Sequence, residues 1–286
     1  MIPTQTNKNL GVLLRVGVFT LLAVLGYIIF PTIFLWLLGD RLLIIVAALG
    51  TFADAAVANA VALRIYERAQ LADIGLGWTA ASRRNIALGT LGGIGAAVVV
   101  LVGPILVRAA DLEPVPNEHA QWPSLLFVSL ILLFGAVGEE MLFRGYGFQV
   151  LVKAIGPFAT ILPTAVLFGL AHSSNPGFTW IALLNTVLWG IVLGYAFLRS
   201  GDLWLPIGLH FGWNWTLPLM GVNLSGFTMG ITGYSMHWKI GALWSGGAYG
   251  PEGGLLATAV VVALFFYLQH APVHHQEPFL LKEASS

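Results

Sequence analysis

The chain has 286 residues, of which 57% are hydrophobic and only 9% charged; its mean hydropathy of +0.84 excludes a soluble domain, where about a quarter of residues carry charge. Thirteen basic and thirteen acidic residues cancel, so no basic field points to nucleic acid. With no cysteine anywhere, disulfides, thiolate nucleophiles and Cys-ligated zinc are excluded together.

Taken in chain order, apolar runs near the ~20 residues needed to span a bilayer fall at 13–38, 42–63, 86–107, 124–152, 157–173, 178–198, 203–220 and 254–270. They predict an all-α polytopic bundle of about eight transmembrane helices, the fifth and eighth short, forming one integral membrane domain over 1–286. The first run follows Lys8 and Arg15 and exceeds the roughly 7–15 residues of a secretory h-region, so it reads as a retained helix, bent at Pro31. Gly, Pro and charged residues collect in the connections 64–85, 108–123 and 173–177. The Gly- and Trp-rich stretch 233–254, with His237 and the tryptophans Trp238 and Trp244, suits an interfacial loop lidding the outer end of a cavity. His274 and His275 fall in a polar tail that reads as solvated. Lys153, Arg199 and Asp202 lie at helix ends and read as interface anchors.

Orientation follows from Lys and Arg. With the N-terminus in the cytoplasm, cytoplasmic segments hold ten of them and outer segments three, Arg144 being included by position. The expectation is a multi-pass protein of the plasma membrane with both termini cytoplasmic and the lipid bilayer as its surroundings.

Three polar clusters interrupt the apolar runs between 123 and 219. In "EEMLFR" (Glu139–Arg144), Glu140 and Arg144 are i and i+4 and pair on one helix face. Glu139 points about 100° away from them. A buried carboxylate without a cation suits a general base. In "FGLAH" (Phe168–His172), Phe168 and His172 share a face, Phe168 as a wall beside the imidazole. In "HFGWN" (His210–Asn214), His210 and Asn214 repeat that spacing and offer two N–H donors for a developing oxyanion. Counting about 1.5 Å per residue from the turn near 154–157 puts Glu139 and His172 at the same depth, roughly 21–22 Å.

A base, a histidine to share its water and a pair of polarising donors are the parts for adding water to an amide or ester carbonyl inside the membrane. Ser173 and Ser174 adjoin His172 but form no nucleophile–base pair by adjacency. HExxH is absent, so a metal such as zinc, which this reading does not require and does not exclude, would draw on Glu139, His172 and His210. Two other classes compete: a non-enzymatic immunity or scaffold protein held together by the polar clusters, and a small proton-coupled transporter with Asp54 and Asn59 as further lining. A transporter predicts inverted repeats or paired broken helices, and the sequence has no convincing internal repeat.

In order and character the three clusters resemble the EExxxR, FxxxH and HxxxN/D motifs of the CPBP family, the CAAX proteases and bacteriocin-processing (Abi) enzymes that include the type II CAAX prenyl endopeptidases. The resemblance covers about a third of the chain, 123–219, and makes that segment the catalytic core. It implies an intramembrane endopeptidase of eight helices with a conical cavity open to membrane and cytoplasm, acting on peptide or protein substrates at the membrane. By the family's pattern, Glu139 and His172 activate water, His210 and Asn214 stabilise the oxyanion, and Glu140 and Arg144 support them.

Overall fold

The computed structural model describes residues 5–282. It is an all-α bundle. Among the described residues, five helices are long and apolar enough to cross a membrane: α1 (Gln5–Leu38), α2 (Leu43–Tyr66), α3 (Ala80–Leu106), the broken pair α4 (Trp122–Arg144) and α5 (Tyr146–Ile155), and α7 (Trp180–Ser200). Shorter helices α6 (Pro157–Ala171), α8 (Trp204–Leu219) and α10 (Leu255–His270) complete the bundle, with a single turn, α9 (Ala242–Ser245), before the last. The chain is therefore a multi-pass membrane protein. Long apolar faces on α1, such as Leu21, Ile28 and Trp36, remain exposed, as they do where lipid replaces a packing partner.

The fourth expected span is split. α4 ends at Arg144 and α5 begins at Tyr146; only glycine fits between them, since a Cβ at 145 would strike the Met141 carbonyl and the Asn59 side chain. The break frees backbone groups that no water can satisfy in hydrocarbon. Asn59 of α2 meets them: its Nδ2 donates to the Met141 carbonyl at 3.0 Å and its Oδ1 accepts from the Tyr146 N–H at 2.7 Å. Gln149 Nε2 donates to the Arg144 carbonyl at 3.1 Å and to Ile74 at 2.9 Å. Asn59 is thus a clamp on the break and not lining.

α3 and α8 lock through two glycine pairs four residues apart. Gly89 and Gly93 sit against the α8 backbone at Leu205 and Leu209, while Gly208 and Gly212 sit against α3 at Ile86 and Thr90. Small residues at this spacing let two backbones approach as no larger side chain would. One core then gathers α3, α7, α8 and α10 around Leu101, Leu193, Leu209 and Val261; a second gathers α1, α2, α5 and the end of α7 around Leu63, Tyr146 and Phe197. α4 runs between them.

Two features differ from the sequence reading. Short strands β1 (Ala110–Pro114) and β2 (Tyr234–Trp238) pair antiparallel, Ala110 opposite Trp238, tying the loop after α3 to the loop after α8. The polar tail is docked, not solvated. Asn85 brackets His274 through the histidine's N–H (3.0 Å) and C=O (2.8 Å), and Gln276 Nε2 donates to Asp202 Oδ2 at 2.6 Å. The His274 and His275 side chains stay exposed. Asp202 is accordingly a buried acceptor, bonded also by Asn85 Nδ2 at 2.8 Å and the Leu205 N–H at 3.2 Å, and not an interface anchor. Burial pushes its carboxyl above the ordinary carboxylate range against the pull of these donors.

Candidate active site

α4 delivers two adjacent glutamates to opposite tasks. Glu140 is fully buried, its Oε1 3.2 Å from Arg144 Nη1 one turn on. Arg144, also buried, donates from Nη2 to the Gly190 carbonyl of α7 at 3.0 Å and lies 4.8 Å over the Phe168 ring. A buried ion pair persists only where its remaining donors find partners; here a carbonyl and an aromatic face supply them. The same Glu140 Oε1 accepts from His210 Nδ1 at 2.9 Å. Spacing alone gave no sign of that bond, since it depends on the register of α8 against α4.

Glu139, about 100° round the helix, faces a cavity of about 380 Å³. Its Oε2 is buried and has no hydrogen-bond partner. It lies 3.8 Å from Nε2 of His172 and 3.8 Å from Nε2 of His210. Three of the residues singled out by sequence, from three helices, therefore converge on one point.

His172 reaches that point because α6 stops there. The helix ends at Ala171, and His172 is its cap, with Nδ1 2.8 Å from the Phe168 carbonyl. A carbonyl only accepts, so Nδ1 carries the proton and a neutral ring turns an unprotonated Nε2 toward Glu139. Phe168 is the wall: buried, edge-on to Phe143 with ring centroids 5.1 Å apart, and 4.8 Å from the His172 ring. Asn214, one turn beyond His210, lines the same cavity, as do Trp189, Trp213 and Thr186. Ser173 and Ser174 are not among its lining residues.

The matched residues fall on this machinery. Residues 121–216 match the family described as type II CAAX prenyl endopeptidase Rce1-like. Over that segment, about a third of its length, the chain is similar to the Rce1-like family. No curated protein and no solved structure matches the chain. The Rce1-like segment runs from the first turn of α4 to the last turn of α8 and carries all three motifs. The match supports, at family level, a CAAX-type intramembrane endopeptidase, a protease of protein or peptide substrates.

Sequence reasoning had not found the loop residues that close the site. Leu224, Ser225, Phe227 and Met229, between α8 and β2, line the cavity together with Glu252. Glu252 Oε1 accepts from Trp213 Nε1 at 3.1 Å, and its Oε2 accepts from the Ser225 N–H at 2.5 Å and hydroxyl at 2.8 Å. One buried carboxylate thereby fastens the loop to α8. Beneath it, burial, reinforced by the charge of Glu252, pushes the Tyr249 hydroxyl up to about 12. Part of the 233–254 stretch does approach the cavity, through Glu252, but the lid itself is the preceding loop. Asp54, expected with Asn59 as lining on the transporter reading, is buried against Gly26 of α1 and is absent from the cavity wall.

Among the described residues no group of three or more His, Asp or Glu is arranged to hold a metal ion.

Proposed function

We propose that the chain cleaves peptide bonds of membrane-associated polypeptides with a water molecule activated by Glu139 and His172. The observation that carries this is the unpartnered Glu139 Oε2, equidistant at 3.8 Å from two imidazole nitrogens at the edge of a cavity. Those spacings admit one water at about 2.8 Å from each group. The water donates one proton to Glu139 and directs the other to the unprotonated Nε2 of His172, which aims a lone pair at the scissile carbonyl carbon.

As the C–O bond forms, Glu139 takes the water's proton and the carbonyl oxygen gains negative charge. His210 and Asn214 stand one turn apart to receive it. His210 donates its Nδ1–H to Glu140 in a hydrogen bond, so it donates to the oxyanion only when Nε2 is protonated as well. Glu140 and Arg144 set that ring's direction. Collapse of the adduct breaks the C–N bond, and Glu139 returns its proton to the leaving amine. General acid–base catalysis of this kind contributes about 10²–10⁴-fold.

The test is cleavage of a peptide library by the purified full chain, read by mass spectrometry with and without a chelator. Glu139→Gln is expected to retain wild-type thermal stability and lose at least about 10²-fold in kcat. A stable Glu139→Gln protein that cleaves normally overturns the assignment. Cleavage abolished by chelator and restored by zinc overturns the metal-free mechanism.

A further inference from the structure

The two ends of the bundle differ in a way that assigns the cavity a side of the membrane. At one end lie the connections after α2, α5 and α7 and the C-terminal tail. They are joined by Thr79 to Gln276 (3.0 Å), Asn85 to Asp202 (2.8 Å) and Lys153 to the Lys282 carbonyl (2.9 Å). At the other end lie the α1–α2 turn, the β1–β2 pair, the α6–α7 turn and the loop after α8, where Gly226 N–H donates to the Tyr249 carbonyl at 2.8 Å.

The site belongs to the second end. Its wall takes the first turns of α2 (Leu43–Thr51), the last turn of α6 and the loop after α8, and no residue from the connections at the first end. A second apolar space of about 410 Å³ continues from it between α2 and α4, sharing Leu43, Ile131 and Phe227 and reaching Asp40 and Phe127. Leu43 and Phe127 are 60% and 49% exposed, on the face turned to lipid. The site thus communicates with the bilayer near the second end.

Charge assigns the sides. Because the structure buries Arg144 in the core, it no longer counts as a loop residue. The first end then holds nine Lys and Arg (Lys8, Arg15, Arg64, Arg68, Arg83, Arg84, Lys153, Arg199, Lys282) and the second three (Arg41, Arg108, Lys239). Such excess marks the cytoplasmic side. An outward-opening cavity is the opposite of the cytoplasmic opening that the family resemblance implies; a cytoplasmic N-terminus and a cytoplasmic cavity do not fit this one fold.

We propose that the cavity opens on the extracytoplasmic side, entered laterally through the gap between α2 and α4, and that its substrates are exported polypeptides whose apolar segments lie in the outer leaflet. The substrate clause rests on the hydrolytic reading above; the sidedness does not. Neither space is lined by Lys or Arg, while Glu139, Glu252 and Asp40 line them. A free C-terminal carboxylate finds no fixed cation there, which favours internal segments over chain ends.

The absence of native cysteine makes the test direct. Glu118→Cys and His237→Cys mark the second end and Arg83→Cys the first; all three positions are exposed. In intact bacterial cells expressing the full chain, a membrane-impermeant maleimide is expected to label the first two and to label Arg83→Cys only after permeabilisation. Labelling of Arg83→Cys in intact cells, alone or with the others, overturns the sidedness. Because labelling needs no activity, a correctly oriented but inactive protein counts instead against the hydrolytic reading. Val128→Trp, at a residue that lines the α2–α4 space and not the catalytic cavity, is expected to raise KM for apolar peptides in liposomes about tenfold with kcat unchanged, the pattern of lost substrate entry. An unchanged KM overturns the α2–α4 route.

Discussion

Asn59 lies outside all three motifs, yet the structure makes the geometry of Glu139 depend on it. In Asn59→Leu, a side chain of similar size removes three hydrogen bonds: to Ala55 (2.7 Å), to Met141 (3.0 Å) and from the Tyr146 N–H (2.7 Å). The Met141 carbonyl keeps the Gly145 N–H at 3.1 Å, but the Tyr146 N–H is stranded in a fully buried site. Stranding a buried donor costs about 1–3 kcal/mol, and an interhelical hydrogen bond within a membrane averages about 0.6 kcal/mol. The expected loss is therefore about 2–4 kcal/mol, measured by unfolding in a detergent titration. Activity is expected to suffer beyond stability, because Met141 is two residues from Glu139 and a misplacement near 1 Å costs about 10² in rate. At a temperature where the variant is fully folded, kcat should fall while KM holds. Asn59→Asp keeps the acceptor for Tyr146 and should recover part of both losses. If Asn59→Leu is as stable and active as the parent, the break at Gly145 does not set the position of the glutamates.

Glu252→Gln keeps the size of the side chain but gives up one of the oxygens that receive Trp213 and Ser225; hydrogen exchange at 224–229 should quicken about tenfold, and unchanged exchange would show the lid held elsewhere. Gly93→Leu forces α3 from the α8 backbone at Leu209 and should prevent recovery of folded protein, whereas Gly95→Leu, which meets open space, should not. Asp202 binds its proton more tightly folded than unfolded, since its carboxyl is raised above 3.8 by burial. Its contribution to stability is full below that value and lost as pH rises through the folded value. Unfolding of Asp202→Asn should lose less stability over the same rise; parallel slopes would remove Asp202 as the cause. Removing one partner of a buried ion pair typically costs about 3–5 kcal/mol, so Glu140→Ala and Arg144→Ala should each destabilise strongly, and their double mutant less than the sum; additive losses would mean the pair is not coupled.

The depth match of Glu139 and His172 was legible because both distances count from one turn at constant helical rise. The kink at Gly145 did not spoil the count, since Asn59 keeps α5 attached to the end of α4. Apolar run length likewise sufficed for the order of helices. Interhelical register is not a property of any one segment, which is why the Glu140–His210 bond was invisible while the Glu140–Arg144 pair was plain. The β1–β2 pair lacked a clear sequence signal because "ADLEP" alternates apolar and polar residues over only five positions, with a proline and no β-branched or aromatic residue. The tail read as solvated because its polarity matches water as well as it matches Asn85 and Asp202. Only the fold distinguishes the two.

Both helix irregularities in the catalytic segment fall at the site. α4 breaks one residue after Arg144, and α6 ends at Ala171 after 15 residues, capped by His172 and short of a full crossing. In lipid an uncapped helix end is tolerated only where protein or a cavity covers it. Covering α4's end recruits Asn59 and Gln149; covering α6's end leaves His172 facing the cavity with Nδ1 bonded back to its own helix at Phe168. A full-length sixth helix would carry backbone through the space that Glu139, His172 and His210 share. The short helix is thus a condition for the site, and lengthening it gives a direct check. Replacing Ser173–Gly177 by alanines favours another helical turn and should close the cavity. The expected result is lost cleavage in a protein that still folds, with slower exchange of the Phe178 amide. If that variant cleaves normally, the space above His172 is not where the substrate lies.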